Sequence, residues 1–455
     1  MNTRLPRVTL RLGDGSRRRI RGILIAGVVT TLLAACLPVH TTPDSPPGQP
    51  VQLVYQDWRT DWFPAMAQEM LAQFHAEHPE IRVFYVPDPI NVEEQLIADM
   101  RSGNAPDVFA ACCAFFPIIG QQGYALDLGS FVAEELDPAS IDDWDAAQYR
   151  ALSTRDGVQF GLPKYHGALA LYYNKDLFDR YGVAYPDYTW DHDDYLLAMR
   201  RLTQDRDGDG ATDLWGSMFD VSWERVQVHV NGWGGHFVDP EDPSRSRMGD
   251  PEALAAMEWL RARIWDDRVM AAPLDVNNRS TRQAFIDQSV AMIEDGSWAL
   301  KDILANAGFR IGVAPLPAGP ARRVTLATTD GFGIYAQTRN PEAAKALLKF
   351  LVSPEYGRAM AQANFLQPAR ASLVPDWVDF VRQEFPEQTR DLDIAAFADG
   401  QINGYSVTAE VFPNMAVAQR LASAAWQEIF VLGQAPVRRM VEVSRQIEAA
   451  QPGRD

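Results

Sequence analysis

The chain has 455 residues and a formal net charge of -18, a balance that excludes nucleic acid as a partner because its phosphates would be repelled. Seven arginines against one aspartate stand in the first 35 residues, so the chain beyond them carries -24. The roughly 420 residues after that segment are too many for one ordinary core and suit two domains. Besides Cys36, the cysteines are the adjacent Cys112 and Cys113, which form no disulfide framework, so core packing must hold the fold and both thiols are expected reduced and buried.

At the start, a basic segment (Arg4 to Arg21) precedes an apolar run from Gly22 to Ala35. That run has 14 residues, short of the roughly 20 a bilayer-crossing helix needs. Basic, then apolar, then small residues is the build of an export signal, so residues 1–35 are set apart from the fold. Leu33, Ala34, Ala35 and Cys36 resemble a bacterial lipobox, which implies diacylation of Cys36 as the new N-terminus. Ordinary cleavage near Ala35 is the alternative. Ser16, Arg17 and Arg18 also resemble a twin-arginine signal, and the export route stays open. Residues 36–50, rich in Pro, Thr and Ser, read as a flexible tether.

"VQLVYQDW" (51–58) is a strand by its β-branched and aromatic content, and residues 62–76 follow as a helix with Phe63, Met66, Met70 and Phe74 on one face. "IRVFYVPD" is a second strand, Val92 to Met100 an amphipathic helix, and "APDVFAA" a third strand. That alternation predicts right-handed parallel crossovers in a doubly wound α/β sheet. The pattern resumes with the strand "LALYYNK" (169–175). Helices start at Thr189 or Asp191, at Asp250 with Pro251, and at Asn340 with Pro341. "SVAMIED" and "FRIGVAPLP" are buried strands, "VSWERVQVHVNGWGG" is expected to be a loop region, and the C-terminal third is mostly helical.

"DRDGDGATD" poses a metal question. Asp205, Asp207, Asp209 and Gly210 match the opening positions of a calcium loop, but its last position holds Gly216 rather than glutamate. A polar turn is expected, with a structural calcium completed by Asp213 as the alternative.

"GNAPDVFA", "GLPKYHGALALYYNKDLF", "TWDHDDYLLAMRRLT", "AFIDQSVAMIEDGSWAL", "PLPAGP" and "NPEAAKALLKFLVSPEYGRAM" resemble, in this order, the signature segments of the extracellular solute-binding proteins of sugar ABC transporters. The resemblance runs from about residue 51 to about residue 440. It implies a two-lobed periplasmic-binding-protein-like fold of type II, each lobe an α/β sandwich around a mostly parallel sheet. The lobes would be residues 51–165 with 330–372, and 166–329 with 373–445. Hinge crossings are expected near Tyr165 to Ala168, Thr329 to Gly333, and Arg370 to Pro375. The implied partners are a sugar or oligosaccharide, the permease subunits of an ABC transporter, and a membrane reached only through the lipid anchor. The protein would be a monomer on the outer face of the cytoplasmic membrane, with no cofactor.

A sugar site needs aromatic platforms for C–H faces and planar polar groups for hydroxyls. Of the 12 tryptophans, Trp259, Trp265 and Trp426 sit in amphipathic helices and are expected in the core. Trp58, Trp223, Trp233 and Trp298 lie at strand ends or in loops. Trp298 is the leading platform, since its segment resembles the family stretch whose tryptophan stacks on the sugar. After the "PD" strand, where maltose-binding protein has an aromatic and a charged pair, this chain has Ala111, Ala114 and Phe115. The polar grip is missing there, which argues against maltose itself, and Phe115 is a substitute platform. Polar candidates are Asp57, Asp295, Asp330 with Gly331, and Arg370, joined by Tyr165 and His166 at the first crossing.

Two other classes compete. An anchored polysaccharide hydrolase would need two carboxylates flanking one glycosidic bond, yet "DDWD" and "DHDD" read as solvated helix starts. Neither a G-x-S-x-G elbow nor an H-E-x-x-H pair is present, and His75 with His78 read as exposed side chains at a helix end. A sugar receptor used for signalling rather than uptake is the third class.

Overall fold

The computed structural model describes residues 48–112 and 115–453. The export signal, Cys36 and most of the tether lie outside the described residues, as do Cys113 and Ala114.

The strands in chain order are β1 (Val51–Asp57), β2 (Ile81–Pro87), β3 (Val108–Ala111), β4 (Leu162–Pro163), β5 (Leu169–Asn174) and β6 (Ser217–Met218). They continue with β7 (Met270–Ala271), β8 (Met292–Gly296), β9 (Ile311–Ala314), β10 (Thr325–Leu326), β11 (Gly331–Ile334) and β12 (Ser406–Val407). Two five-stranded sheets result, ordered β2-β1-β3-β11-β4 and β7-β6-β8-β5-β9, with β10 and β12 as a short separate ladder. Helices Phe63–Glu77 and Val92–Ser102 link β1, β2 and β3, and β1 pairs in parallel with both neighbours, as the alternation predicts.

Each sheet holds one reversed strand. β11 runs antiparallel to β3 and β4, and β5 runs antiparallel to β8 and β9. Both reversed strands begin directly after the chain has crossed from the other lobe. Such a strand arrives without a helical crossover, so it enters its sheet from the cleft end and runs back against the rest. The register shows this: Leu169 sits opposite Gly296, and Gly331 opposite Ala111 and Pro163. The carboxyl ends of β3, β4 and β8 therefore meet at the hinge, where ligands of open α/β sheets bind.

Three crossings make the hinge. Tyr165 bridges Pro368 and Ala168 bridges Ala327; His166 N donates to Gln367 O at 3.0 Å and Thr328 N to Gly167 O at 2.9 Å. Gln148 Nε2 donates to the carbonyls of both Tyr165 and Thr328, tying two crossings together. The third crossing falls at Gln367 and Pro368, just ahead of the expected Arg370 to Pro375.

Local signals place most helices. Asp191, not Thr189, caps helix His192–Leu202: its carboxylate accepts from the amides of Asp193 and Asp194 at 2.9 and 3.1 Å, and Asp194 returns the bond in a capping box. Pro251 and Pro341 stand in the first turns of helices Pro251–Arg261 and Pro341–Leu351. The expected loop around Trp223 is instead the helix Trp223–Gly232. Trp223, Val226, Gln227 and Val230 are buried on one helical face, and that burial overrides the weak helix preference of the β-branched run.

One lobe buries Leu53, Phe74, Val108, Phe332 and Leu348; the other is built on Leu171, Met199, Val226 and Trp426 and on Tyr172, Ile293 and Trp377. Full burial of each such side chain contributes about 1.5–3 kcal/mol.

Within the second lobe, His192 Nε2 lies 3.2 Å from His229 Nδ1, whose Nε2 lies 3.0 Å from a Glu294 oxygen. His192 Nδ1 faces Ala318 O at 2.8 Å. Burial, with the His229 charge adding to it, pushes His192 from 6.5 down to about 4. The fold therefore favours neutral His192 while the unfolded chain protonates it at the ordinary value. Stability is complete above pH 6.5 and falls as the pH drops toward 4, at up to about 1.4 kcal/mol per pH unit. Urea denaturation at pH 7 and pH 5 should show this slope, and His192→Gln should flatten it.

Candidate ligand-binding cleft

Over the hinge lies a cavity of about 340 Å³ lined by Tyr165, Glu224, Arg225, Trp298, Thr328 and Asp330 among others. That volume falls within the range of small-molecule sites. Its aromatic wall is Trp298, on a short 3₁₀ turn (Ser297–Ala299) directly after β8. The indole is half-buried and packs against the hydrophobic cores of both lobes. Two glycines make room for it: a Cβ on Gly296 would stand 2.3 Å from the indole and one on Gly167 would stand 2.9 Å from it. The ring is thus laid on two backbones, which fixes its plane.

Arg225 supplies the planar polar group. Its guanidinium donates to Asp295 Oδ1 at 3.1 Å and pairs with Asp220 at 3.0 Å, while the other Asp295 oxygen accepts from Arg282 Nε at 3.0 Å. Asp295 is buried between two arginines, so it orients Arg225.

Asp330 lies at the start of the β11 crossing. Burial pushes its carboxyl up to about 6, against the pull of the Lys164 ammonium. A raised carboxyl pKa means that the ionised form is disfavoured in the fold: stability is complete below the ordinary 3.8 and is lost as pH rises through about 6. Asp330→Asn should therefore stabilise the unliganded chain at pH 7 by about 3 kcal/mol and change little at pH 4, as thermal melts would show. An acid retained at that cost in a cleft is a functional candidate.

Of the residues singled out in the sequence, Tyr165, Trp298 and Asp330 converge on this cavity. Asp57 and Trp58 lie behind it. Asp57 is fully buried against Lys164, and Lys164 Nζ sits 3.2 Å from the centroid of the Trp58 ring, which packs edge-on against Tyr165 at 5.3 Å. Gly331 opens β11, where a Cβ would meet the Leu152 side chain at 2.9 Å.

The others serve packing. Phe115 is only 2 % exposed and packs with Phe109 and Phe116 rather than offering a face to the cleft. His166 is enclosed in the hinge, with Nδ1 3.1 Å from Gln367 Nε2 and Nε2 3.6 Å from Asp145. Trp223 is buried against Phe237 and Trp426, its Nε1 donating to Glu410 O at 3.0 Å. Trp233 caps its helix and packs on His192 and Trp259. Arg370 donates to Val352 O at 2.8 Å and Ser140 O at 2.9 Å and lies over Trp144 at 4.8 Å. Its donors are therefore committed to the hinge. Cys112 carries a free, half-buried thiol on the cavity wall.

Glu224, Arg225 and Thr328 were not read from the sequence as site residues. Glu224 and Arg225 follow Trp223 on the helix, and the turn of about 100° per residue sends Trp223 inward while they line the cavity. Without the helix, nothing local distinguishes them.

The carboxylates of Asp205, Asp207 and Asp209 are exposed, with oxygens within 4.8 Å of one another. Asp205 accepts from Gly208 N at 2.7 Å and Gly210 N at 2.9 Å, and Asp213 from Arg206 N at 2.6 Å. A Cβ on Gly216 would stand 2.4 Å from the Met199 backbone, so the bidentate glutamate of a calcium loop has no space there.

The family model for bacterial extracellular solute-binding proteins matches residues 57–358. Among relatives, the maltodextrin-binding protein MdxE of Bacillus subtilis is 25% identical over 318 residues, 66% of this chain and 68% of that protein. The melibiose/raffinose/stachyose-binding protein MelE of the same species is 22% identical over 364 residues, 78% and 82% of the two chains. An ABC substrate-binding protein of Listeria monocytogenes in complex with cycloalternan superposes with a TM-score of 0.74 at 20% identity, over 88% of this chain and 98% of that one. UspC of M. tuberculosis superposes with a TM-score of 0.72 at 25% identity, over 88% and 99%. Among the described residues, no helix is long and apolar enough to cross a membrane. Two lobes with one hinge-entering strand reversed in each sheet, a cleft at the strand ends, and a family match over most of the folded chain agree: this chain belongs to the bacterial extracellular solute-binding proteins.

Proposed function

We propose that the cleft captures a sugar or oligosaccharide and that the loaded protein delivers it to the permease of an ABC transporter. The observation that carries this reading is the Trp298 indole, laid on Gly167 and Gly296 and facing the same cavity as Tyr165, Asp330 and Arg225. An aromatic face takes the C–H side of a sugar ring and the polar groups take its hydroxyls. The sugars in the names of the relatives support the same class. Capture is reversible, with no covalent step. Trp298 touches both lobe cores, so a ligand against it stabilises the closed arrangement by its differential affinity for that state.

Cys36 anchors the monomer by its lipid to the outer face of the cytoplasmic membrane, and residues 36–50 give the lobes reach to the permease. The loop Asp205 to Asp213 acts as a polar turn; a chelator should leave Tm unchanged.

Calorimetry on the chain starting at residue 37, against mono-, di- and oligosaccharides and polyols with product analysis, tests the reading. One unchanged sugar bound with micromolar or tighter Kd, about -8 kcal/mol or better, is expected. Cleavage products, or silence across the panel, would overturn it.

A further inference from the structure

We infer that the sugar taken by the cleft carries a positive charge, as a protonated amino sugar does; this rests on the sugar-binding reading above. Glu224 lines the cavity half-buried, and its carboxylate has no hydrogen bond or ion pair among the described residues. The cations nearby are already committed. Arg225 is held by Asp220 and Asp295, Arg282 by Asp295 and Asp302, and Lys164 by Asp57. Among the described charged side chains that line the cavity, Glu224 and Asp330 are carboxylates and Arg225 is the one cation, and Arg225 is already paired with Asp220 and Asp295 behind the wall, so the lining carries an excess of negative charge. Glu224 stands in the first turn of helix Trp223–Gly232, whose N-terminus offsets roughly half a charge and leaves the excess negative.

A neutral sugar would satisfy hydrogen bonds here but would leave that excess in place. An anionic sugar would be repelled by it. Only a cation pairs with Glu224 while its ring stacks on Trp298, and the indole face itself attracts positive charge. The net charge of -18 adds a long-range field of the same sign.

The test is calorimetry at pH 7 with matched sets: glucose, galactose and mannose, their 2-amino and uronic forms, and cellobiose with its glucosamine counterpart. The amino form should bind at least about tenfold more tightly than its neutral twin at low salt, and the ratio should shrink as salt screens the pair. Glu224→Gln should bring the ratio of amino to neutral affinity near one and abolish its salt dependence. Should that variant misfold, the salt dependence of the wild-type ratio decides. Equal or tighter binding of a neutral or uronic twin overturns the charge inference and leaves the sugar reading standing. Silence from every sugar overturns both.

Discussion

Trp298→Ala should weaken sugar binding about 100-fold, close to 3 kcal/mol, whereas Trp259→Ala should stay within about threefold per folded molecule. Both indoles are half-buried, so the contrast comes from their surroundings. Trp259 packs on His192 at 4.6 Å and on Tyr195 at 6.3 Å inside one lobe, and its loss is a matter of stability. Trp298 lines the cavity and touches the cores of both lobes. Removing it deletes an aromatic platform and also a contact that the lobes share on closure. The measurement is calorimetry with whichever sugar the panel yields, with the folded fraction checked by near-UV circular dichroism. Equal losses in the two variants would sink the placement of the ligand.

The second large effect concerns stability. Lys164→Ala should cost about 3–5 kcal/mol in urea denaturation at pH 7, the usual penalty for removing one partner of a buried ion pair. Lys164 and Asp57 are both wholly buried. Asp57 also accepts from the Tyr55 hydroxyl and from Trp58 N at 2.7 Å, so three groups behind the cleft hang on this carboxylate. Burial pulls the Lys164 ammonium below its ordinary pKa and the Asp57 charge holds it back. Without Lys164, Asp57 and Asp330 would share one buried region with no counter-charge. The Trp58 ring would also lose the cation lying over it. Adding Asp57→Asn to Lys164→Ala should recover part of the loss; a single-variant cost below about 1 kcal/mol would mean that the pair is not ionised in the fold.

Much of this was legible in the chain because it depends on neighbours in sequence. Caps and N-terminal prolines act within one helical turn, so Asp191, Pro251 and Pro341 announce their helices. Strand content and alternation announced β1, β2, β3, β5, β8 and β9. The ordered segments identified the family, and through it the two-lobed fold.

The roles of individual side chains were not legible, because their partners lie far away in the chain. Trp223 and Trp298 have similar local surroundings, yet one donates to Glu410, 187 residues on, and the other lies on Gly167 of the first crossing and on Gly296 at the end of β8. Arg370 was read as a ligand contact, but the carbonyls of Ser140 and Val352 take its donors, the former 230 residues away. Asp57 and Lys164 are 107 residues apart, and neither predicts the other. Composition, periodicity and capping thus determined the elements and their order, since those follow from short-range hydrogen bonding and the spacing of apolar residues. Which carboxylates are neutralised, which indole faces the cavity and which arginine lines it were decided only when the lobes assembled, because burial and pairing are properties of the packed chain.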